Sequence, residues 1–155
     1  MIFVTIGTQK QQFHRIIRLV ESSHLLKNEK IIIQAGHTKY VSNMGNITIT
    51  NFLDDAKFIQ CIQDCEYIIC HGGVGTIFNA LEKGKKILVV PRLKKYHEHK
   101  NDHQIEVATE LEKEGYVLVY KDGENFDDYI NQIKYRDFKK YVKDESYIEK
   151  IKKEI

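Results

Sequence analysis

Residues 67–91, YIICHGGVGTIFNALEKGKKILVVP, constrain the fold more than any other part of this chain. They read as a short apolar strand, a glycine turn, a helix and a second apolar strand, the repeating unit of a parallel sheet. The run 67–70 is apolar throughout, as a strand covered on both faces must be. His71 ends it. Gly72, Gly73 and Gly75 follow, and such a turn tolerates positive φ and close approach of another backbone. The helix is expected from about Thr76. Its first N–H groups have no partner inside the helix and, with the positive end of its dipole, point back into the turn. Junctions of this type receive anions, diphosphates above all. HGGVG is neither the dinucleotide G-x-G-x-x-G nor the P-loop G-x-x-x-x-G-K-[ST], so the motif alone also fits a tight turn without a ligand. The histidine favours a site, because a structural turn gains little from an imidazole above the sheet.

Strand-like runs recur at 2–6, 30–34, 47–50, 87–90 and 116–120, with helical patterns between most of them. This alternation predicts an α/β fold, a Rossmann-like, doubly wound and mainly parallel sheet of about six strands. Phe13, Ile16, Ile17 and Val20 mark one helical face, and Phe58, Ile59 and Ile62 mark another that Asp54 or Asp55 would cap. Gly84 and Gly115 fall where helix-ending glycines belong, and Asn101 or Asp102 is placed to cap the helix that Gly115 ends. Two parts are expected, a Rossmann-like domain over 1–125 and a helical extension over 126–155. In the extension, Phe138, Tyr141, Val142, Ile148, Ile151 and Ile155 lie along one stripe, which either packs on its own domain or docks a partner.

A chain of 155 residues is about one domain, able to bury about 70% of its unfolded surface. The formal charge of +2 gives no general case for nucleic-acid binding. Met1 leads straight into a strand, and no run approaches the roughly 20 apolar residues of a membrane helix. An intracellular protein, soluble or peripheral through something else, is therefore expected. Cys61, Cys65 and Cys70 are odd in number and form no C-x-x-C, so they read as core thiols. His97, His99 and His103 have a metal-like spacing but no clearly paired cysteine or acid, and neither metal nor cofactor is expected. His14, His24 and His37 read as surface or capping residues. The basic loop 92–100 could face a diphosphate, an anionic membrane surface or plain solvent.

In a parallel sheet the carboxyl ends of all strands open on one crevice. Three further segments then converge with HGGVG: GTQ at 7–9, a second small-residue turn; NFLDD at 51–55, whose backbone amides suit the edge of a base; and NDHQ at 101–104, whose donors and acceptors suit sugar hydroxyls. Together they describe a site for a nucleotide-diphosphate sugar.

These residues resemble the C-terminal domain of glycosyltransferase family 28, which has the GT-B fold. FVTIGTQ, IIIQAG, NFLDD, CHGGVGTIFNALEKGKKILVVP, NDHQ and ELEKEGYVLVY follow the family's order over nearly the whole chain. The resemblance is closest to single-domain subunits of two-part transferases that act on dolichyl diphosphate or in bacterial capsule and exopolysaccharide assembly. It implies that His71, Gly72, Gly73 and Thr76 lie near the donor diphosphate and that Gly7 and Thr8 line the same crevice. It implies too that the backbone of Phe52 and Leu53 holds the uracil, and that His103 and Gln104 meet the donor sugar. Many relatives hold the ribose with a glutamate where this chain has Asn79, which offers no charge-assisted bond. The resemblance implies an inverting, metal-independent transfer from a UDP-sugar to a lipid-diphosphate saccharide, with His71 helping to stabilise the leaving group. The acceptor half of a GT-B enzyme, with the catalytic base, would come from a membrane-anchored partner subunit. A nucleotide-sugar epimerase and a non-catalytic nucleotide-sugar-binding scaffold are the alternatives.

Overall fold

The computed structural model describes residues 1–153. The elements run β1 (Ile2–Thr5), α1 (His14–Ser22), β2 (Ile31–Gln34), β3 (Ile47–Thr50), α2 (Asp55–Asp64), β4 (Tyr67–Cys70), α3 (Val74–Glu82), β5 (Lys86–Val89), α4 (His103–Lys113), β6 (Leu118–Val119), α5 (Phe126–Tyr135) and α6 (Glu145–Lys153). The six strands form one sheet in the order β3-β2-β1-β4-β5-β6, and each neighbouring pair is parallel. Val4 sits at the centre, opposite Ile33 on one side and Ile69 on the other.

Side chains of a strand alternate between faces, so each strand feeds two cores. Val4 and Ile69 face one cluster with Phe13, Ile16, Ile17 and Val20 of α1 and Ile130 and Ile133 of α5. Phe3, Ile68 and Cys70 face the other, with Ile62 of α2, Ile77 and Leu81 of α3, Val107 and Leu111 of α4, and Ile148 and Ile151 of α6. A fully buried Ile or Leu contributes about 1.5 to 3 kcal/mol, so both layers are firmly held. Ile59 departs from the expected helical face. Cys65 and Ile62 turn inward instead, and Ile59, one residue before Gln60, is left 38% exposed. The apolar seam of α2 simply runs one step over.

The helix ends follow local chemistry. Asp54 Oδ1 accepts from the Lys57 amide at 2.8 Å and caps α2. At α4 the amide of His103 is held by Asn101 Oδ1 at 3.1 Å, while Asp102 reaches back to the amide of Lys94. Gly84 and Gly115 end their helices at φ of 69° and 85°. The glycines after β4 differ from expectation, since none of Gly72, Gly73 and Gly75 has positive φ, and α3 begins earlier, at Val74. Their role is spatial, as described below.

Beyond α5 the chain crosses the amino edge of the sheet, where the Lys139 amide donates to the Gly115 carbonyl at 2.9 Å. It then returns as α6, whose Tyr147 meets Phe78 of α3 edge-on at 6.2 Å. Val142 of the anticipated stripe is 74% exposed, and Ile155 lies outside the described residues. No helix among the described residues is long and apolar enough to cross a membrane.

Candidate functional site

In the strand order 3-2-1-4-5-6 the connections leave β1 and β4 toward opposite faces of the sheet. Their loops part, and a crevice opens above the carboxyl ends. It measures about 340 Å³ and is lined by Gly7 and Thr8 after β1, Phe52 and Leu53 after β3, and His71, Gly73, Gly75 and Thr76 after β4. Thr5, Gln34, Asp55 and Phe58 complete the lining. Gly72, Asn79, His103 and Gln104, also expected there, are not among its lining residues.

The His71 ring explains the glycines. A Cβ on Gly7 would lie 2.6 Å from His71 Nε2, and one on Gly73 would lie closer still. Real Cβ contacts are never so short, so the imidazole occupies a slot whose two walls are bare backbone. Gly7 also needs its φ of 79°, which other residues rarely adopt. Gly72 makes room for a different neighbour, the Cβ of Gln104, 2.6 Å from its notional Cβ. Gly75 differs from both, with nothing within 4 Å.

Helix α3 brings donors to this slot. Its first internal bond runs from the Ile77 amide to the Gly73 carbonyl at 3.1 Å, and no side chain caps its start. The amides of Val74, Gly75 and Thr76 therefore have no partner in their own helix. By contrast, α2 and α5 are capped by Asp54 and Asn125. No lysine or arginine lines the crevice, and its ionisable groups are His71 and Asp55. A bound anion would be met by amides and the helix dipole.

His71 is itself buried, and its Nδ1 lies 3.4 Å from the Thr5 carbonyl. A carbonyl accepts, so Nδ1 carries the proton and Nε2, between the two glycines, keeps its lone pair. Burial, then the Arg92 guanidinium, pushes the His71 pKa down to about 4, against the Thr5 bond that raises it. The ring is neutral at ordinary pH. It has a second donor for a leaving group only when protonated.

Side-chain hydrogen bonds hold the walls. Gln104 Oε1 accepts from the amides of Gly72 and Arg92, both at 3.1 Å, and so ties the glycine turn to the end of β5. Its amide nitrogen remains for a ligand. Asn79 is held by the Lys83 ammonium one turn on. Gln34 Oε1 accepts from the Leu53 amide at 2.8 Å, while its Nε2 donates to Thr5 at 3.1 Å. The Leu53 N–H is thus already engaged, and a base would meet the other backbone groups of this segment. Gln34 was not among the sequence candidates, although a polar residue closing the strand IIIQ at its carboxyl end is a readable signal.

The loop 91–102 departs most from its sequence appearance. Arg92 is fully buried, donating to the carbonyls of Ile6 (2.7 Å), Gln11 (2.8 Å) and Glu98 (2.9 Å) over the Phe13 ring. It braces the crevice loops from below and cannot face an acceptor or a membrane. Among the described residues, no three His, Cys, Asp or Glu side chains converge on a metal-sized site.

A parallel sheet of this order, with a glycine-walled crevice at its switch point, defines a Rossmann-like architecture of the GT-B type. The chain belongs to the glycosyltransferase family 28 C-terminal domain, whose profile matches residues 1–154. The UDP-N-acetylglucosamine transferase subunit ALG13 of Homo sapiens is 30% identical over 128 residues, covering 76% of this chain and 11% of that relative. The Mus musculus subunit is 28% identical over 130 residues, 75% of this chain and 10% of the relative. The chain thus spans about a tenth of these relatives. Among solved structures, that of ALG13 in solution superposes with a TM-score of 0.64 at 18% identity, over 97% of this chain and 93% of that one. The glycosyltransferase SnogD from Streptomyces nogalater gives 0.63 at 16% identity, over 99% of this chain and 38% of that one. At such identities these two likenesses establish the fold.

Proposed function

We propose that this chain is the donor-binding, catalytic subunit of a heteromeric inverting glycosyltransferase. It would move a sugar from a UDP-sugar to a lipid-diphosphate-linked saccharide in capsule or exopolysaccharide assembly. The observation that carries the reading is the uncapped start of α3, opening into a crevice that glycines and His71 shape. An acceptor hydroxyl attacks the anomeric carbon, the bond to the β-phosphate oxygen breaks, and its electron pair leaves with UDP. The charge that grows there faces the amides of Val74, Gly75 and Thr76 and the positive end of α3, donors fixed before the reaction begins. With His71 neutral, these amides carry most of that stabilisation. Gln104 acts as a positioning residue by fixing the Gly72 amide.

The proton of the acceptor hydroxyl also needs a base. SnogD is covered over 38% of its length, which leaves room in a transferase of this fold for a second half. A membrane-anchored partner would supply that half, the acceptor site and the base, and would hold this chain at the inner membrane face. The Asn79–Lys83 contact favours one rival, a nucleotide-sugar-binding scaffold with weakened ribose contact. Radiolabelled UDP-sugars, a lipid-diphosphate saccharide and the chain co-expressed with its partner decide between them. The transferase reading requires an extended lipid product and its loss in Gln104→Ala. Free nucleotide sugar with an altered stereocentre would show epimerisation, and no turnover at all would favour the scaffold.

A further inference from the structure

Gln34 closes β2 at the carboxyl edge and lines the crevice, yet it is only 6% exposed. Its carboxamide cannot turn over. Oε1 accepts from the Leu53 amide at 2.8 Å, which only an oxygen can do, so the atom facing the Thr5 hydroxyl at 3.1 Å is Nε2. Both posts are themselves fixed. Thr5 is buried in β1, and its carbonyl accepts from the His71 amide at 3.2 Å. The segment before Leu53 is stapled to the end of β2: the Gly36 amide donates to the Asn51 carbonyl at 2.7 Å, and Asn51 Nδ2 donates back to the Gly36 carbonyl at 3.1 Å. A carboxamide has two N–H hydrogens and an oxygen with two lone pairs, so one hydrogen and one lone pair of Gln34 remain. No other protein group among the described residues takes either.

The place of this carboxamide in the sheet gives it a use. Strands β4, β1 and β2 lie side by side, so Gln34 stands two strand spacings, about 10 Å, from the strand that leads into His71. With a diphosphate at the start of α3, a ribose and one pyrimidine ring fill that span. The crevice there is lined by Phe52 and Leu53 after β3 and by Phe58 of α2, whose ring is set edge-on against Phe3 at 5.5 Å. These apolar groups suit the faces of a base and cannot tell one base from another. Asp55, exposed at the start of α2, offers acceptors only. The Leu53 N–H is spent on Gln34 and is not available to a base.

We infer that Gln34 reads the base in its place and selects uracil. This rests on the nucleoside-diphosphate reading of the crevice. Oε1 accepts the uracil N3–H, and Nε2 donates to a uracil carbonyl beside it, the paired contact for which a carboxamide is suited. Uracil carries a carbonyl on each side of N3, so either neighbour serves. Cytosine presents a lone pair at N3, where the fixed Oε1 would face it acceptor to acceptor, and a buried group left unpaired in this way weighs heavily against the wrong ligand. Discrimination follows because Leu53 and Thr5 forbid the flip by which a free carboxamide would accommodate both bases.

Calorimetric titration with UDP and with CDP at pH 8, for the chain alone and with its partner, tests this in the parent, Gln34→Glu and Gln34→Met. The parent should prefer UDP by about tenfold or more. Gln34→Glu keeps an acceptor for the Leu53 amide and loses the donor, so UDP should weaken more than CDP and the preference should collapse. Gln34→Met carries no charge and reads neither base, and the same collapse is expected if the glutamate variant fails to fold. UDP and CDP weakened by one common factor in Gln34→Met would reduce Gln34 to a brace of the Leu53 segment and overturn the selection. A parent that binds CDP as tightly as UDP overturns it too, and leaves the nucleoside-diphosphate reading standing. Binding of neither nucleotide by the parent, in either setting, removes that reading and this inference together.

Discussion

The turn after β4 and the loop after β5 sit side by side on the carboxyl edge, yet they are built by opposite means. HGGVG keeps its shape by leaving side chains out, since Gly7 and Gly73 clear a slot for one neutral imidazole. The loop 91–102 keeps its shape by putting charged side chains in, with Arg92 and Glu98 both buried and bonded to surrounding backbone. The first arrangement leaves amides free for a ligand. The second consumes its polar groups internally and serves as a brace. An anion site can thus consist of bare backbone, while an arginine in a basic loop can be wholly structural.

The largest effect is expected at the brace. Arg92→Met strands the carbonyls of Ile6, Gln11 and Glu98 in a dry interior and should cost about 3 to 5 kcal/mol in urea unfolding. A loss below 1 kcal/mol would show that the loop holds itself without the guanidinium.

The next effect belongs to His71. Its folded pKa of about 4 lies below the ordinary 6.5, so between these values the unfolded chain binds more protons. Stability should be fully present above pH 6.5 and fall with acid toward pH 4, by on the order of 3 kcal/mol at most. Urea midpoints measured across this window in the parent and in His71→Gln check it. The same acid slope in both would place the titration elsewhere.

Smaller effects separate the glycines. Gly73→Ala pushes a methyl into the His71 ring and should cost about 1 to 3 kcal/mol and abolish tight nucleotide binding. Gly75→Ala has open space and a helical position, so its stability should hold or rise by about 0.5 to 1 kcal/mol. Equal penalties for the two would mean that the slot around His71 is not what the glycines provide.

Much of this was legible in the sequence. Apolar runs at 2–6, 30–34, 67–70 and 87–90 and the glycines closing helices forecast a parallel sheet, because burial on two faces and positive φ leave strong local signatures. The gathering of Gly7, Thr8, Phe52, Leu53, His71, Gly73 and Thr76 along one crevice follows from parallel topology alone. What the sequence hid depends on contacts distant in the chain. Arg92 looks like any surface cation until Ile6, 86 residues away, proves to hold it. Gln104 reads as a sugar-binding residue, and that its oxygen also holds the Gly72 amide shows only in the fold. The reason for Gly72 and Gly73 was misread for the same cause: a steric neighbour across a turn has no local signature.

The central claim is that the crevice at the start of α3 binds a nucleoside diphosphate through backbone amides. Calorimetric titration of the chain with UDP tests it most directly, alone and with its partner, in the parent and in Gly73→Ala. Saturable binding by the parent, little changed by moderate salt because no lysine or arginine lines the crevice, and its loss in Gly73→Ala is the predicted result. No detectable heat of binding from the parent in either setting would contradict the account.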